Sequence, residues 1–148
     1  MEFKTNYIIY IDYTKTIKEA SKLMKDFDIG FLPIVKDKKI IGVITDRDIA
    51  TSFSNELDKE TSVTKYMTKK VISVDKCAKE EEILEIMKKN KIKRLLVKDK
   101  KKVIGVISIS DIINHSNENT LITKTLKEIF QPKKQQKKEE TNIDEFYL

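Results

Sequence analysis

Apolar residues follow two spacings along the first third of the chain, and these spacings alternate in a fixed order. Short runs rich in β-branched residues predict strands at 7–11, 31–35 and 40–44. Between the first two runs the apolar positions recur every three or four residues. This recurrence predicts a helix with one buried face made by Ile17, Ala20, Leu23, Met24 and Phe27. A second helix is expected to start at Thr45.

Local signals refine the ends of the first helix and the strand that follows it. Thr16 and Glu19 have the spacing of a capping box, so Thr16 is expected to be the N-cap, and Gly30 is expected to end the helix. Pro33 cannot donate a backbone hydrogen bond. It therefore predicts that its strand lies at a sheet edge, or that the proline stands at the entry of the strand.

The same order of elements returns 63 residues later, without a gap between Tyr7 and Ile49. The run Ile41-Gly42-Val43-Ile44 before Thr45 returns as Ile104-Gly105-Val106-Ile107 before Ser108. The second copy predicts strands at 71–74, 92–97 and 103–107, a helix with an apolar stripe, and a last helix near Ser108; the stripe is made by Ile83, Ile86 and Met87. So regular a period indicates one structural unit written twice.

These elements predict an α+β fold with two pseudo-symmetric β-α-β-β-α units packed through their sheets. One copy of about fifty residues is too small to bury a core alone, so the two copies are expected to pack together. The predicted domains are residues 4–55 and 63–114. They are followed by a C-terminal helical extension at 115–131 and a basic flexible tail at 132–148 whose end is apolar.

Composition narrows the possible functions and the expected location. Hydrophobic residues make up 39% and charged residues 36% of the chain, and the sequence contains neither an apolar run long enough to span a membrane nor a signal peptide, so a cytoplasmic location is expected. With Cys77 as the single cysteine and one histidine, neither an internal disulfide nor a zinc cluster is expected. The net charge of +6 is the balance of 30 basic and 24 acidic residues spread along the chain, many of the lysines cluster in predicted turns, and nucleic-acid binding is not favoured.

The candidate chemistry lies where the strand with the Gly-Val-Ile run meets the next helix. Thr45 with Asp48, and Ser108 with Asp111, place a hydroxyl at a helix start and a carboxylate three residues later. Free N–H groups and a hydroxyl at a helix start favour an anion such as phosphate, and the carboxylate can accept hydrogen bonds from a vicinal diol such as a ribose. A plain helix cap is the alternative, and it would be favoured for one copy. Two copies in one frame shift the balance toward a ligand site.

The chain resembles a tandem pair of CBS domains, the Bateman module. The resemblance rests on Leu32-Pro33-Ile34-Val35, the stretch from Ile41 to Ile49, and their second copies, together with Tyr66-Met67-Thr68 at the opening of the second unit. It implies a regulatory module that binds AMP, ADP, ATP or S-adenosylmethionine in two clefts between the paired units. It implies no catalytic residues and no cofactor beyond this regulatory ligand.

The resemblance assigns one cleft to residues of both copies. Asp111 would hold the ribose hydroxyls, Ser108 and Ser110 the phosphate, and Arg94 would be a phosphate-binding base. The first copy would complete this cleft with Ile9 and Ile29, which would sandwich the adenine, and with Gly30.

The second cleft would use Thr45, Arg47 and Asp48 with Ile72, Ile92 and Lys93. Phe31 stands at the position that Arg94 occupies in the other copy, so a phosphate contact is missing there unless Arg47 supplies it. The Asp111 cleft is therefore expected to bind more tightly.

The expected partners are an adenosyl small molecule, a second copy of the chain in a homodimer, and a regulated protein that acts in trans. The alternative is a structural or interaction module with empty clefts, whose tail docks a partner such as a sliding clamp. The tail's Ile143, Phe146 and Tyr147 have part of the spacing of a clamp-binding motif. An enzyme would need a metal cluster or a base–nucleophile pair, and neither is evident in the sequence.

Overall fold

The computed structural model describes residues 8–54, 58–115, 117, 123, 124 and 127. The first repeat contains β1 (Ile11–Asp12), α1 (Ile17–Asp26), β2 (Phe31–Lys36), β3 (Lys39–Thr45) and α2 (Asp46–Phe53). The second repeat contains β4 (Ser73–Asp75), α3 (Glu80–Asn90), β5 (Arg94–Asp99), β6 (Lys102–Ser108) and α4 (Ile109–His115). A short 3-10 helix, Val63–Lys65, precedes the second repeat.

The strands form two sheets of the same design, with strand orders β1-β2-β3 and β4-β5-β6. In each sheet the first strand runs parallel to the second, and the second pairs antiparallel with the third. Both antiparallel pairs carry an irregularity at the same repeat position, between Ile34 and Val35 and between Val97 and Lys98. The predicted α+β fold with two β-α-β-β-α units is thereby confirmed.

Helix α1 buries most of its predicted apolar face, since Ile17, Ala20 and Met24 all belong to the buried core of the first repeat. The Thr16 capping box is also present: the Thr16 N–H donates to Glu19 Oε2 at 2.9 Å, and the Glu19 N–H donates to Thr16 Oγ1 at 3.2 Å. Phe27 is different, because it follows the helix as its C-cap and its side chain is 54% exposed. Its assignment to the buried face was therefore wrong.

The prediction that Gly30 ends the first helix was also wrong. Helix α1 ends at Asp26, and the chain turns at Asp28, whose φ of 52° lies in the left-handed region. Lys91 does the same after α3 with a φ of 53°. Because these are the same repeat position, the backbone turn is part of the duplicated unit and does not depend on glycine.

Pro33 lies in the central strand of the first sheet, so the prediction of an edge or entry position was wrong. Its partner in β3 is Val43, whose N–H and C=O bond to Thr68 instead, at 3.0 and 2.8 Å. The proline nitrogen therefore faces the side of β1. At the same position of the second repeat the Leu96 N–H donates to the C=O of Ile72 at 3.2 Å. Proline cannot make this bond, which explains why β1 begins one repeat position later than β4.

The segment before β4 packs on the first repeat. Val63 is fully buried in the core of that repeat, and Tyr66 and Met67 pack against it. Backbone hydrogen bonds fix the segment at both ends: the Val63 N–H donates to Lys15 O at 2.9 Å, and the Thr68 N–H donates to Val43 O. The lead-in of the second repeat is thus held by the sheet of the first.

The chain divides into two compact units, Met1–Ile109 and Ser110–Leu148. Both sheets belong to the first unit. The predicted C-terminal extension at 115–131 lies almost entirely outside the described residues, and the tail at 132–148 with its partial clamp-binding motif lies wholly outside them.

Candidate functional site

Each candidate hydroxyl stands at the junction of a strand and a helix. Thr45 is the last residue of β3 and the N-cap of α2, which begins at Asp46. Ser108 is the last residue of β6, and α4 begins immediately after it at Ile109. The helices thus start one residue later than the sequence predicted, and the hydroxyl-bearing residue precedes the helix as capping residues do.

Thr45 and Asp48 form a complete capping box in the first repeat. The Thr45 N–H and the Thr45 hydroxyl each donate to Asp48 Oδ2 at 2.8 Å, and the Asp48 N–H donates to Thr45 Oγ1 at 3.3 Å. Thr45 and Asp48 therefore do act as a helix cap in the first repeat. Both bonds to the carboxylate use Oδ2, and Oδ1 of the half-buried Asp48 accepts none from the described residues. The cap fixes the carboxylate and leaves one oxygen available to a ligand.

Arg94 and Phe31 occupy the same place in their sheets. Arg94 is the Cα partner of Ser108 in the β5–β6 pair, and Phe31 is the Cα partner of Thr45 in the β2–β3 pair. Side chains of directly opposed residues in an antiparallel pair lie on the same face and close together. A guanidinium therefore stands beside one junction, and an apolar ring stands beside the other.

The first-repeat residues assigned to the Asp111 cleft are all half-buried. Ile9 and Ile29 are half-buried and pack against the core of the first repeat, and the Ile29 N–H donates to Met24 O at 2.9 Å. Gly30 follows directly, at the entry of β2. These apolar side chains are thus anchored at their inner ends and partly open at their outer ends, which suits contact with a flat base.

Gly30 lies against a carboxylate that the sequence analysis did not select. The Asp46 N–H donates to Gly30 O at 3.3 Å, and a Cβ on Gly30 would stand only 2.5 Å from Asp46 Oδ2. Asp46 thus adds a hydrogen-bond acceptor beside the candidate adenine contacts. The sequence held one signal for it: the second repeat has Lys93 and Ile109 at the positions of Gly30 and Asp46, so the carboxylate beside a glycine is specific to the first repeat, although the backbone hydrogen bond is present in both.

The second-repeat residues assigned to the Thr45 cleft are held mainly by their backbones. The Ile72 C=O accepts from Leu96, the Ile92 N–H donates to Met87 O at 3.0 Å, and the Lys93 C=O accepts from the Ile109 N–H at 2.9 Å. Ile72 and Ile92 are half-buried, whereas Lys93 and Arg47 are exposed. Arg47 lies in the first turn of α2.

Ser110 and Asp111 lie on α4, in the second compact unit. Ser110 is half-buried, Asp111 is exposed, and the next residue of the helix, Ile112, is buried. His115 is exposed at the end of this helix, with its Nδ1 2.7 Å from Asp111 O.

Among the described residues, no group of three or more His, Cys, Asp or Glu side chains is placed to hold a metal ion. Cys77 is exposed, and its N–H donates to Asp75 Oδ1 at 2.9 Å. No helix in the described ranges is long and apolar enough to cross a membrane.

The fold and the junctions together define a tandem-repeat module with two equivalent strand-to-helix junctions. The family model for the CBS domain matches residues 2–55 and 63–118. The chain therefore belongs to the CBS domain family and carries two of these domains in tandem.

Three similar proteins give this family context. Inosine-5′-monophosphate dehydrogenase of Methanocaldococcus jannaschii is 35% identical over 108 residues, which are 72% of this chain but 21% of the enzyme. The chain thus spans about a fifth of that relative. A solved protein with CBS domains from Burkholderia ambifaria is 30% identical with a TM-score of 0.71, covering 77% of this chain and 88% of the other.

The third is the CBS domain pair of protein MJ0100, solved in complex with 5′-methylthioadenosine and S-adenosyl-L-methionine. It is 28% identical to this chain with a TM-score of 0.66, and the match covers 72% of this chain and 86% of the other. Adenosyl compounds therefore bind to a CBS domain pair of similar fold.

Proposed function

We propose that this chain is a regulatory module that binds an adenosyl ligand, either an adenine nucleotide or S-adenosylmethionine, and acts on a partner protein in trans. The observation that carries the proposal is the Thr45–Asp48 junction, where the cap holds a half-buried carboxylate through Oδ2 and leaves Oδ1 unused by the described residues. A carboxylate so placed can accept a hydrogen bond from a ribose hydroxyl. The adenosyl ligands in the MJ0100 complex support the same ligand class.

The two clefts differ in what they offer to a phosphate. Ser108 and Arg94 stand side by side in one cleft, which supplies a hydroxyl and a planar cationic fork. In the other cleft Phe31 takes the place of the arginine. We therefore propose that the cleft of Arg94 and Ser108 is the tighter site for a phosphorylated ligand. The cleft of Thr45 and Asp48 is better suited to a ligand without phosphate.

Regulation requires that the ligand bind two arrangements of the protein with different affinity, because a ligand with equal affinity for both shifts nothing. The chain would bind and release its ligand without chemical change. The protein that responds to the change is a separate chain in this proposal.

Calorimetric titration of AMP, ADP, ATP and S-adenosylmethionine into the full chain tests the proposal. We expect Asp111→Ala to weaken binding by about tenfold or more, the size expected for loss of a charged hydrogen bond. Asp48→Asn should weaken a second binding event. Asp26→Ala removes an exposed carboxylate at the end of α1 and is the matched control. Absence of binding for all four ligands, or unchanged binding in the Asp48→Asn/Asp111→Ala double variant, would contradict the proposal.

A homodimer formed through the helices of the first repeat belongs to the same proposal. Phe27 at the end of α1 and Phe53 at the end of α2 are 54% and 58% exposed, and these two helices pack together. Two exposed aromatic rings on neighbouring helices favour contact with a second copy. Light scattering should give a dimer for the natural chain and a monomer for Phe27→Ser/Phe53→Ser. Tyr10→Ser, which alters a ring that is 59% exposed, is the control and should remain dimeric.

The alternative, an interaction module with empty clefts, is favoured by one observation. Phe31 places an apolar ring at the position that Arg94 occupies in the other cleft, so the Thr45 cleft lacks an arginine at that position. The titrations decide between the two functions, because a scaffold would bind none of the four ligands.

A further inference from the structure

A cavity of about 430 Å³ opens between the two sheets, away from the strand-to-helix junctions. This volume lies within the range of small-molecule sites in proteins. Its floor is apolar and is made by residues of both repeats, namely Ile8, Val35, Ile40, Val71, Leu96 and Val103. A floor of this kind favours the apolar part of a ligand.

The rim of the cavity carries five lysines: Lys38, Lys39, Lys98, Lys101 and Lys102. No acidic residue is among the described residues that line the cavity, and none of the five lysines forms an ion pair with a described residue. The nearby Asp99 is already engaged by Lys76, whose Nζ lies 2.8 Å from Asp99 Oδ2. Several cations that converge on one cavity without counter-charges favour an anionic ligand.

Ten of the twelve lining residues form pairs related by the 63-residue repeat, and Tyr10 and Leu96 are the two exceptions, so both repeats contribute to the cavity. Lys38 corresponds to Lys101 and Lys39 to Lys102 on the rim, while Ile40 corresponds to Val103 on the floor. Each repeat therefore supplies lysines to the cavity, two from the first and three from the second, because Lys98 corresponds to Val35. A ligand that matches this arrangement has an apolar middle and an anionic group at each end.

We propose that this cavity is a second ligand site, which binds an organic anion with two charged ends and an apolar middle. It is separate from the adenosyl clefts, because Lys39 and Lys102 begin the strands that end at Thr45 and Ser108. Six residue steps along a strand correspond to roughly 20 Å. The site does not include Asp48 or Asp111, so its test is independent of the test of the proposed function.

Octane-1,8-bisphosphonate is a suitable probe, with octylphosphonate and octane-1,8-diol as matched compounds that have one charged end and none. Backbone amide chemical shifts in NMR titrations of the full chain report both affinity and location. We expect the bisphosphonate to bind at least tenfold more tightly than octylphosphonate and to shift residues around Lys39 and Lys102. The diol should produce no saturable shifts.

Lys39→Gln/Lys102→Gln tests the rim and should weaken bisphosphonate binding at least tenfold. The control, Lys22→Gln/Lys89→Gln, makes the same change in net charge on exposed positions of α1 and α3 and should alter affinity less than twofold. Asp48→Asn and Asp111→Ala should leave it unchanged. Equal loss in the control, equal affinity for octylphosphonate, displacement by AMP, or no binding would each overturn the proposal.

Discussion

Arg94 lies directly across from Ser108 in the β5–β6 pair, and both side chains lie on the same face of the sheet. The Lys93 C=O next to it accepts from the Ile109 N–H at 2.9 Å, so Lys93 and Ile109 are the hydrogen-bonded pair. Because such pairs alternate, Arg94 and Ser108 form the non-hydrogen-bonded pair, in which opposed side chains are closer. A guanidinium and a hydroxyl thus stand together at the strand-to-helix junction.

This arrangement predicts that Arg94→Phe weakens binding of AMP by roughly 10- to 100-fold, the range for loss of a hydrogen bond to a charged group. Binding of 5′-methylthioadenosine should change little, because that compound carries no phosphate. The reciprocal variant Phe31→Arg should strengthen AMP binding in the Thr45 cleft. Calorimetry with both ligands measures all three effects. Parallel loss of AMP and 5′-methylthioadenosine binding in Arg94→Phe would show that the arginine does not act through the phosphate.

Gly42 and Gly105 hold the same repeat position, yet they should respond differently to alanine. A Cβ on Gly42 would stand 2.8 Å from Met67 Sδ and 3.0 Å from the backbone oxygen of Thr68, whereas the nearest atom to a Cβ on Gly105 is 4.0 Å away. Overpacking costs typically about 1–3 kcal/mol, so Gly42→Ala should lower the free energy of unfolding by about that amount. Gly105→Ala should be neutral or stabilise slightly, since alanine restricts the unfolded chain.

Urea denaturation of the two glycine variants measures this difference. The comparison is internally controlled, because the same substitution is made at equivalent places in two copies of one unit. Equal destabilisation would show that the Met67–Thr68 segment does not lie against Gly42 as the structure has it. The difference in stability also tests the position of the segment before β4, in which Thr68 pairs with Val43 at the edge of β3.

The sequence was sufficient for the order and type of the elements, because the repeat supplied each signal twice. The buried residues of α1 and α3 follow the apolar spacing, and Thr16 is the N-cap that the capping box predicted, whereas Thr45 was predicted to be the first helical residue and is the N-cap. The register that places Arg94 beside Ser108 follows from equal strand lengths around equivalent turns. The first strand of each repeat is the exception, since it was predicted at 7–11 and 71–74 but spans Ile11–Asp12 and Ser73–Asp75 in the structure.

The errors in the prediction came from contacts between segments distant in sequence. Pro33 is tolerated in a central strand because β1 is short and Thr68 bonds to Val43, and neither fact is visible near residue 33. Gly30 was predicted to end the first helix. The structure gives another reason for glycine at this position, because a side chain there would clash with the carboxylate of Asp46. Asp46 and the lysine-lined cavity could not be predicted from the sequence for the same reason, since only the folded chain brings residues 8, 40 and 103 together.

Thr45→Ala should destabilise the protein through loss of the cap on α2. The threonine hydroxyl accepts from the Asp48 N–H and donates to the Asp48 carboxylate, and alanine removes both bonds. Loss of an N-cap costs about 0.5–2 kcal/mol, which urea denaturation resolves. Thr45→Ser retains the hydroxyl and is the matched control, with little expected change. If the two variants were equally destabilised, the hydroxyl would not be the stabilising group.

The first capping box predicts a dependence of stability on pH. A hydrogen bond from Lys15, together with those from Thr16, lowers the pKa of Glu19 below its usual value. A carboxyl group whose pKa is lower in the folded state than in the unfolded state stabilises the fold at pH values above its unfolded pKa. That stabilisation is lost as the pH falls below about 4.3 and through the lower pKa of the folded state.

Thermal unfolding between neutral pH and pH 3 should therefore show a smaller decrease in Tm for Glu19→Gln than for the natural chain, although the variant starts from a lower Tm at neutral pH. Asp37→Asn, at an exposed turn position between β2 and β3 and outside any helix, is the control and should follow the natural chain. Asp12 adds to the effect in the same direction, since a hydrogen bond from the Thr14 side chain lowers its pKa. If Glu19→Gln and the natural chain lost Tm in parallel on acidification, the Glu19 carboxylate would contribute no pH-dependent stability.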